Sequence, residues 1–249
     1  MTSSTQIPKI IHYCWFGGND KSVLVKQCIE SWKEKLPDYQ IIEWNEDNYD
    51  FKNNVFLETA YERKMWAFVS DYVRLDVLLQ YGGIYLDTDV ETIKSFNPFL
   101  NHSFFTCFEG GIEKNNYLAS TAVLGCIKGN ELISSFLNFY KQLGNKEIVN
   151  FKTPNTKIFS NLLVEKYKIE LENNLQIIKS NMYIYPNDYF CPKNWATKKI
   201  KITSNTCAIH HFDGSWKGKN EKLMILVSGK IRQYFGDNTF LLIKKILKK

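Results

Sequence analysis

The apolar positions of the chain alternate between a period typical of strands and a period typical of helices. A short apolar run at 7–16 predicts a buried first strand, and the amphipathic segment 22–35 predicts a helix that begins at the capping residue Ser22. A second strand-like run follows at 39–44. A strand, a helix and a strand in this order predict a parallel pair joined by a right-handed crossover, which indicates an α/β protein.

The pattern continues in the same way along most of the chain. It predicts further helices at 53–64, 66–81, 131–143 and 157–167, and further strands at 84–86, 104–109 and 118–124.

The helix predicted at 66–81 is apolar on nearly every face, which is typical of a buried helix. It nevertheless carries Asp71 and Arg74, which are three residues apart and therefore lie on one face. The pair Gly82-Gly83 ends this helix, and the β-prone run 84–86 follows.

Two carboxylates, Asp87 and Asp89, come directly after that short strand. At strand spacing they point the same way, with Tyr85 on the same side. Hard oxygen ligands of this kind suit Mg²⁺ or Mn²⁺. An isolated Asp-x-Asp is more often a solvated turn, but the buried helix, the two glycines and the apolar strand before it favour a metal site.

These residues together resemble glycosyltransferase family 32. The resemblance is carried by two patterns, Ser70-Asp71-x-x-Arg74 and Gly82-Gly83-Ile-Tyr85-Leu-Asp87-Thr-Asp89, and it extends over about 7–217. The family includes bacterial capsule-type sugar transferases and yeast mannosyltransferases, and the glucosylating domains of large clostridial toxins carry a similar arrangement. It implies a GT-A type nucleotide-sugar fold with a mixed, mostly parallel central sheet flanked by helices, a divalent metal on the diphosphate, and retention at the anomeric carbon.

The resemblance also implies roles for individual residues. Asp89 is the expected main metal ligand, and Asp87 is expected to contact the ribose or the donor sugar and to support the metal. Asp71 and Arg74 would reach hydroxyls of the donor sugar, although a buried ion pair between the two is an alternative that can hold at the same time.

Further residues of the resemblance are expected to bind the nucleotide sugar. Trp15 would stack on the nucleotide base, with a core aromatic as the alternative. Ser215 and Trp216 match family residues that close over the diphosphate, and Ser70 and Tyr85 belong to the matching patterns. Many family members place an Asn where this chain has Ser120 or Thr121, so a contact to the donor sugar is changed or lost here.

Two histidines, His210 and His211, end a predicted strand before a glycine turn. Either imidazole could complete a metal shell, but adjacent strand residues face opposite ways, so only one can do so. We predict His211, because a sister family of retaining transferases uses a similar His-aromatic-x-Gly pattern. His210 and His12 are then predicted to be structural.

Composition and charge narrow the possible partners. The net charge of +6 is compatible with nucleotide phosphates or acidic lipid, whereas the dispersed lysines and the lack of a recognition motif argue against nucleic acid. The six cysteines show no metal-binding spacing, no signal peptide is visible, and no apolar run reaches the length of a membrane span. These observations predict a reduced, cytoplasmic protein.

The predicted function is that of a retaining, metal-dependent glycosyltransferase. It would move a sugar, most simply a hexose from a UDP-sugar, to a saccharide or lipid-linked oligosaccharide in capsule, lipopolysaccharide or glycoconjugate assembly. A metal-dependent phosphodiesterase or nucleotide-sugar hydrolase is an alternative, but it would usually show more ligands than four histidines allow. A non-catalytic nucleotide-sugar-binding protein is another, although such a relative is expected to have lost the Asp pair.

The composition changes after the last family motif. We therefore predict a transferase domain at 1–217 and a helical basic tail at 218–249. Within the tail, the apolar and the basic side chains of 240–249 lie on different faces of a helix, which is a pattern typical of a membrane surface. The tail is expected to contact the inner face of an anionic membrane, with a solvated terminal helix as the alternative.

Overall fold

The computed structural model describes residues 6–52, 54–110, 117–144, 153–179, 181–195, 197–214 and Val227. Within them the chain forms, in order, β1 (Ile10–Cys14), α1 (Val23–Lys35), β2 (Gln40–Trp44), α2 (Val55–Glu62), α3 (Trp66–Tyr81), β3 (Gly83–Leu86), β4 (Val90–Thr92), β5 (Phe104–Gly110), β6 (Tyr117–Ala119), β7 (Val123–Cys126), α4 (Glu131–Gly144), α5 (Asn155–Tyr167), β8 (Gln176–Lys179), β9 (Met182–Tyr185) and β10 (Ala208–His210).

The central sheet is mixed and mostly parallel, as predicted. Its strand order is β2-β1-β3-β7-β5-β9-β8, with β6 paired to β5 beside this path. The strands β2, β1, β3, β5 and β9 point one way, while β7 and β8 oppose them. The strands β10 and β4 form a separate antiparallel pair.

The first three elements confirm the predicted strand-helix-strand unit. β1 and β2 are parallel, with Ile11 opposite Ile41. The side chain of Ser22 accepts a hydrogen bond from the backbone of Val25 (3.3 Å), so Ser22 caps α1 as expected.

Two apolar clusters pack against the central sheet. Helices α2, α3, α4 and α5 contribute to one cluster, and α1 with the segment around 190–208 contributes to the other. Successive strand residues alternate between them, because Tyr85 packs in the first cluster whereas Ile84 and Leu86 pack in the second. Asp87 therefore leaves the strand on the α3 side.

The single strand predicted at 118–124 is wrong. The chain instead leaves its pairing with β5 after Ala119 and forms β7 from Val123, with the buried residues Ser120, Thr121 and Ala122 between the two strands. The apolar pattern does not show this break, because both strands and the connection are buried. The break matters for the site, since it presents backbone carbonyls to α3 and to Asp87.

His12 is structural, as predicted. Its Nδ1 accepts a hydrogen bond from Nε1 of Trp44 (3.1 Å), and its Nε2 donates to the carbonyl of Gly82 (2.8 Å). Burial lowers the pKa of His12 to about 4, although the bond to Gly82 acts in the opposite direction.

The six cysteines are buried and free. Among the described helices, none combines the length and apolar character needed to cross a bilayer.

Candidate active site

The Asp pair lies at the end of β3, which the two preceding glycines allow to approach β1 closely. Gly82 and Gly83 have φ angles of +69° and +101°, in the left-handed region that glycine adopts without strain. A Cβ on Gly83 would stand 2.8 Å from the carbonyl of Ile10 and 2.9 Å from Nε2 of His12. Only glycine therefore fits at the start of the strand that positions Asp87.

Arg74 connects α3 to the first carboxylate of the pair. Its Nη1 lies 3.1 Å from Oδ1 of Asp87 and 2.9 Å from the carbonyl of Thr121, and its Nη2 lies 3.1 Å from Oδ1 of Asp71. The remaining contacts go to Ser70, from Nε to the carbonyl (3.0 Å) and from Nη2 to Oγ (3.1 Å). Arg74 thus makes three hydrogen bonds and two ion pairs, and it fixes Asp71 and Asp87 relative to each other.

Tyr85 lies beneath this network. The guanidinium carbon of Arg74 is 4.5 Å from the centre of the Tyr85 ring, and the Tyr85 hydroxyl donates to Oδ1 of Asp87 (3.1 Å). The structure therefore brings together five of the predicted site residues, namely Ser70, Asp71, Arg74, Tyr85 and Asp87.

Burial is the largest influence on the pKa of the Asp71 carboxyl. It raises the pKa of Asp71 to about 7, while Arg74 acts in the opposite direction. Burial alone would lower the pKa of Arg74, but Asp87, Tyr85 and Asp71 raise it. Asn155, at the start of α5, donates a hydrogen bond to Asp71. The sequence contained no signal for this role, because Asn155 is 84 residues from its partner.

Asp89 is held by a separate set of contacts. Its Oδ2 accepts from the backbone N–H of Asp213 (2.7 Å), and its Oδ1 lies 3.3 Å from Nε2 of His210. Burial alone would raise the pKa of Asp89, but His210 and the N–H of Asp213 outweigh it and lower the pKa to about 2. Asp89 is therefore ionised at neutral pH.

The choice of histidine has to be corrected. His210, and not His211, lies beside the Asp pair, and the ring of His211 turns instead to Oε2 of Glu91 (2.9 Å) and Nζ of Lys193 (3.5 Å). Adjacent strand residues face opposite sides, so the prediction that only one histidine faces the Asp pair is confirmed, but the sequence did not identify which one. The pairing of β10 with β4 decides it, because this pairing sets His210 opposite Val90, next to Asp89.

The side chains around the Asp pair offer ligand atoms that fit a divalent cation. One oxygen from each of Asp87 and Asp89 and one nitrogen of His210 lie within 4.8 Å of one another. His210 also belongs to a second group, together with Glu109 and Cys191. The ligand atoms of this group also lie within 4.8 Å of one another. The sequence did not point to Glu109 or Cys191.

Trp15 lines a cleft after the end of β1. A cleft of about 610 Å³ is lined by Trp15, Gly18, Asn19, Asp20, Lys21, Lys26, Glu43, Asn45, Glu46 and Asp47. The Nε1 of Trp15 donates to the carbonyl of Asn19 (2.8 Å), and Nζ of Lys21 is 5.3 Å from the ring centre. Ser215 and Trp216, predicted to close over the diphosphate, lie outside the described residues.

Comparisons with known proteins agree with this architecture. Residues 22–106 match the family described as "Glycosyltransferase sugar-binding region containing DXD motif". An uncharacterized glycosyltransferase, L373, of Acanthamoeba polyphaga mimivirus is 28% identical over 226 residues, which is 84% of each chain. Inositol phosphoceramide mannosyltransferase 3 of Schizosaccharomyces pombe is 29% identical over 143 residues, or 52% of this chain and 36% of that protein.

A solved structure supports the fold. The PaToxG glycosyltransferase superposes with a TM-score of 0.52 at 19% identity, over 66% of this chain and 70% of that one. The superposition shows a fold of the GT-A type, and the chain is similar to glycosyltransferases over the sugar-binding region at 22–106. The resemblance predicted from the sequence is confirmed for the sugar-binding region that contains the DXD motif, formed here by Asp87-Thr88-Asp89.

Proposed function

We propose that the protein is a retaining, metal-dependent glycosyltransferase that uses a nucleotide-sugar donor, most simply a UDP-hexose. The observation that carries the proposal is the fixed Asp pair: Arg74 holds Asp87, and His210 with the N–H of Asp213 holds Asp89. Both carboxylates are oriented before any ligand binds, which is the preorganisation that a cation and a diphosphate require.

The oxygens of Asp87 and Asp89 would hold Mn²⁺ or Mg²⁺, with His210 as the nearest imidazole. When bound there, the cation supplies positive charge that stabilises the departing diphosphate. Asp71, 3.1 Å from Nη2 of Arg74, would accept a hydrogen bond from a donor-sugar hydroxyl. Arg74 would position Asp71 and Asp87, because it forms an ion pair with each of them.

Retention follows from the family resemblance. In the proposed reaction the acceptor hydroxyl attacks the anomeric carbon from the face that the diphosphate leaves. The new C–O bond forms as the bond to the diphosphate breaks, and the leaving phosphate oxygen takes the hydroxyl proton. This route needs no protein nucleophile.

The acceptor is proposed to be a saccharide or a lipid-linked oligosaccharide in capsule, lipopolysaccharide or glycoconjugate assembly. The name of the fission-yeast relative joins mannosyl transfer to a phosphoinositol lipid, which supports a lipid acceptor. A lipid-linked acceptor also fits the predicted contact of the basic tail with an anionic membrane on the cytoplasmic side. The tail lies outside the described residues, apart from Val227.

Donor hydrolysis tests the proposal. Transferases cleave their own nucleotide sugar slowly in water, so the protein is incubated with a panel of UDP- and GDP-sugars in Mn²⁺, in Mg²⁺ and in excess chelator. We expect one donor to be cleaved only with metal. Asp89→Asn should abolish the cleavage in a protein that still folds cooperatively, because one oxygen ligand and one charge are lost while the volume is kept; its melting temperature should fall, since His210 loses its charged partner.

A matched control is Asp38→Asn, which removes an exposed carboxylate bound to Lys9 and should leave cleavage unchanged. Full activity of the wild type in excess chelator, or wild-type rates in Asp89→Asn, would contradict the metal assignment. Cleavage of simple phosphodiesters at rates comparable with those of the nucleotide sugars would favour the phosphodiesterase alternative.

A further inference from the structure

A second group of metal-ligating side chains lies next to the Asp pair. It consists of Glu109 in β5, Cys191 in the loop after β9, and His210 in β10, and their ligand atoms lie within 4.8 Å of one another. Cys191 is fully buried. The three residues come from distant parts of the chain, so the fold brings them together and no sequence motif marks them.

The orientation of His210 is the second observation. Its Nε2 faces Oδ1 of Asp89 at 3.3 Å. Its Nδ1 is buried and has no hydrogen-bond partner within the described part of the chain. A histidine that binds a metal usually donates its other ring N–H to a carboxylate, which fixes the ring. His210 already has this arrangement, with Asp89 as the carboxylate and Nδ1 available for the metal.

The donor types distinguish this group from the Asp pair. Asp87 and Asp89 offer carboxylate oxygens, which suit Mg²⁺ or Mn²⁺. Glu109, Cys191 and His210 offer one oxygen, one sulfur and one nitrogen, which is the mixed donor set that Zn²⁺ binds in tetrahedral sites. The Cys191 thiol donates to Oγ of Ser120 (3.5 Å), and Cys107 is a further sulfur that interacts with Cys191.

We propose that Glu109, Cys191 and Nδ1 of His210 bind one Zn²⁺ ion, separate from the cation of the Asp pair. Zinc would bind the carboxylate of Glu109, the thiolate of Cys191 and the unprotonated Nδ1 of His210, and any protons that these three groups carry in the free protein would go to solvent. The Nε2–H of His210 would remain on Asp89. The ion would therefore fix the imidazole that orients Asp89. In this way it would connect the site of Glu109, Cys191 and His210 to the DXD motif.

Cobalt is the probe for this site, because Co²⁺ binds zinc sites and reports its ligands by absorption. The full-length protein, stripped with a chelator, is titrated with Co²⁺ and then with Zn²⁺. We expect one equivalent of Co²⁺ to give a thiolate charge-transfer band in the near ultraviolet and the intense visible bands of tetrahedral cobalt, both removed by Zn²⁺. No sulfur band at tenfold excess of Co²⁺ would overturn the proposal.

Two variants assign the ligands. Cys191→Ser should remove the sulfur band, whereas Cys126→Ser, at a buried thiol whose only described partner is the carbonyl of Leu78, should retain it. An unchanged band in Cys191→Ser would contradict the assignment. Glu109→Gln keeps the size of the side chain and should lower the Zn²⁺ affinity at least tenfold. It is the decisive variant if Cys191→Ser does not fold, and unchanged affinity in it would overturn the site.

Asp89→Asn separates this site from the proposed transferase activity. It should retain the sulfur band, with a Zn²⁺ affinity lower by roughly tenfold or more, because it alters only the partner of the ligating histidine. Loss of donor cleavage together with a retained sulfur band supports two distinct metal sites. Loss of the sulfur band in Asp89→Asn would show that Asp89 and Cys191 belong to one site, and the proposal of a separate zinc ion would fail while the transferase proposal stands.

Discussion

At the scale of single residues, Arg74 has the densest set of contacts in the site. It makes two hydrogen bonds to Ser70, one to the carbonyl of Thr121, and one ion pair each with Asp71 and Asp87. A lysine offers only three donors on a flexible stem, so it cannot hold the two carboxylates in the same geometry.

Arg74→Lys should therefore impair transfer although the charge is kept. We expect kcat to fall roughly a hundredfold, as for a small misplacement of catalytic groups, with nucleotide affinity almost unchanged. Steady-state kinetics and titration with UDP and GDP measure the two effects. Arg63→Lys, at the exposed end of α2, is the control and should match the wild type. Loss of nucleotide affinity in Arg74→Lys would assign Arg74 to the nucleotide or to the fold.

The buried imidazole of His12 makes stability depend on pH. Burial lowers the pKa of His12 from 6.5 to about 4, so between these values the unfolded chain binds a proton that the native protein does not. The stabilising contribution is complete above pH 6.5 and is lost as the pH falls towards 4. From His12 alone we expect the free energy of unfolding to be about 2 kcal/mol lower at pH 5 than at pH 7.5.

His12→Gln isolates this effect, because a Gln amide can also accept from Trp44 and donate to Gly82 but does not titrate. Urea unfolding at pH 7.5 and pH 5 is compared for both proteins. The variant should lose about 2 kcal/mol less than the wild type over this range. The same loss in both proteins would mean that His12 is not the group responsible.

At the scale of elements, the sequence predicts those features that local pattern determines. The cap at Ser22, the end of α3 at Gly82-Gly83 and the short strand before Asp87 are all found where the local signals place them. The break between β6 and β7 was missed, because it depends on which strands pair and not on the apolar pattern. The orientation of His210 was missed for the same reason, since β4 sets it.

Gly125 in β7 illustrates how pairing constrains a residue. It lies opposite Phe105 of β5, and a Cβ at this position would overlap the Phe105 ring. Gly125→Ala should lower the free energy of unfolding by roughly 1–3 kcal/mol, because the ring or a strand has to shift. Gly110→Ala is the control: there the nearest atom would be 3.5 Å from the Cβ, so the change should stay below about 1 kcal/mol. Equal losses in urea unfolding would remove the steric explanation.

At the scale of the whole molecule, function depends on groups that the fold gathers from distant segments. Asp71 meets Asn155, Asp89 meets His210, and Glu109 meets Cys191. The family patterns predicted Asp71 in the first pair and Asp89 in the second. They predicted neither residue of the third pair. Sequence reasoning found the residues that recur as motifs, but it could not find partners that only the order of strands brings together.

The membrane contact of the basic tail, 218–249, remains a prediction, because the structure describes only Val227 of this segment. In the predicted helix, Phe240, Ile243, Ile246 and Leu247 would share one face, and Lys244, Lys245 and Lys248 would lie on another, with Lys249 at the end. Leu241, on the lysine side, weakens the pattern. Each basic residue near an anionic surface contributes about 1 kcal/mol, screened by salt, so the cluster could supply several kcal/mol.

Co-sedimentation with liposomes tests this prediction. The full-length protein and a chain that ends at Asp237 are mixed with anionic and with neutral liposomes at low and at high salt. We expect only the full-length protein to sediment, only with anionic liposomes, and less at high salt, because the attraction is electrostatic. A variant with Lys244, Lys245 and Lys248 changed to Gln should bind weakly while keeping the apolar face. Equal binding by the full and the shortened chain, or no binding by either at low salt, would favour a solvated terminal helix and leave the proposed transfer reaction unaffected.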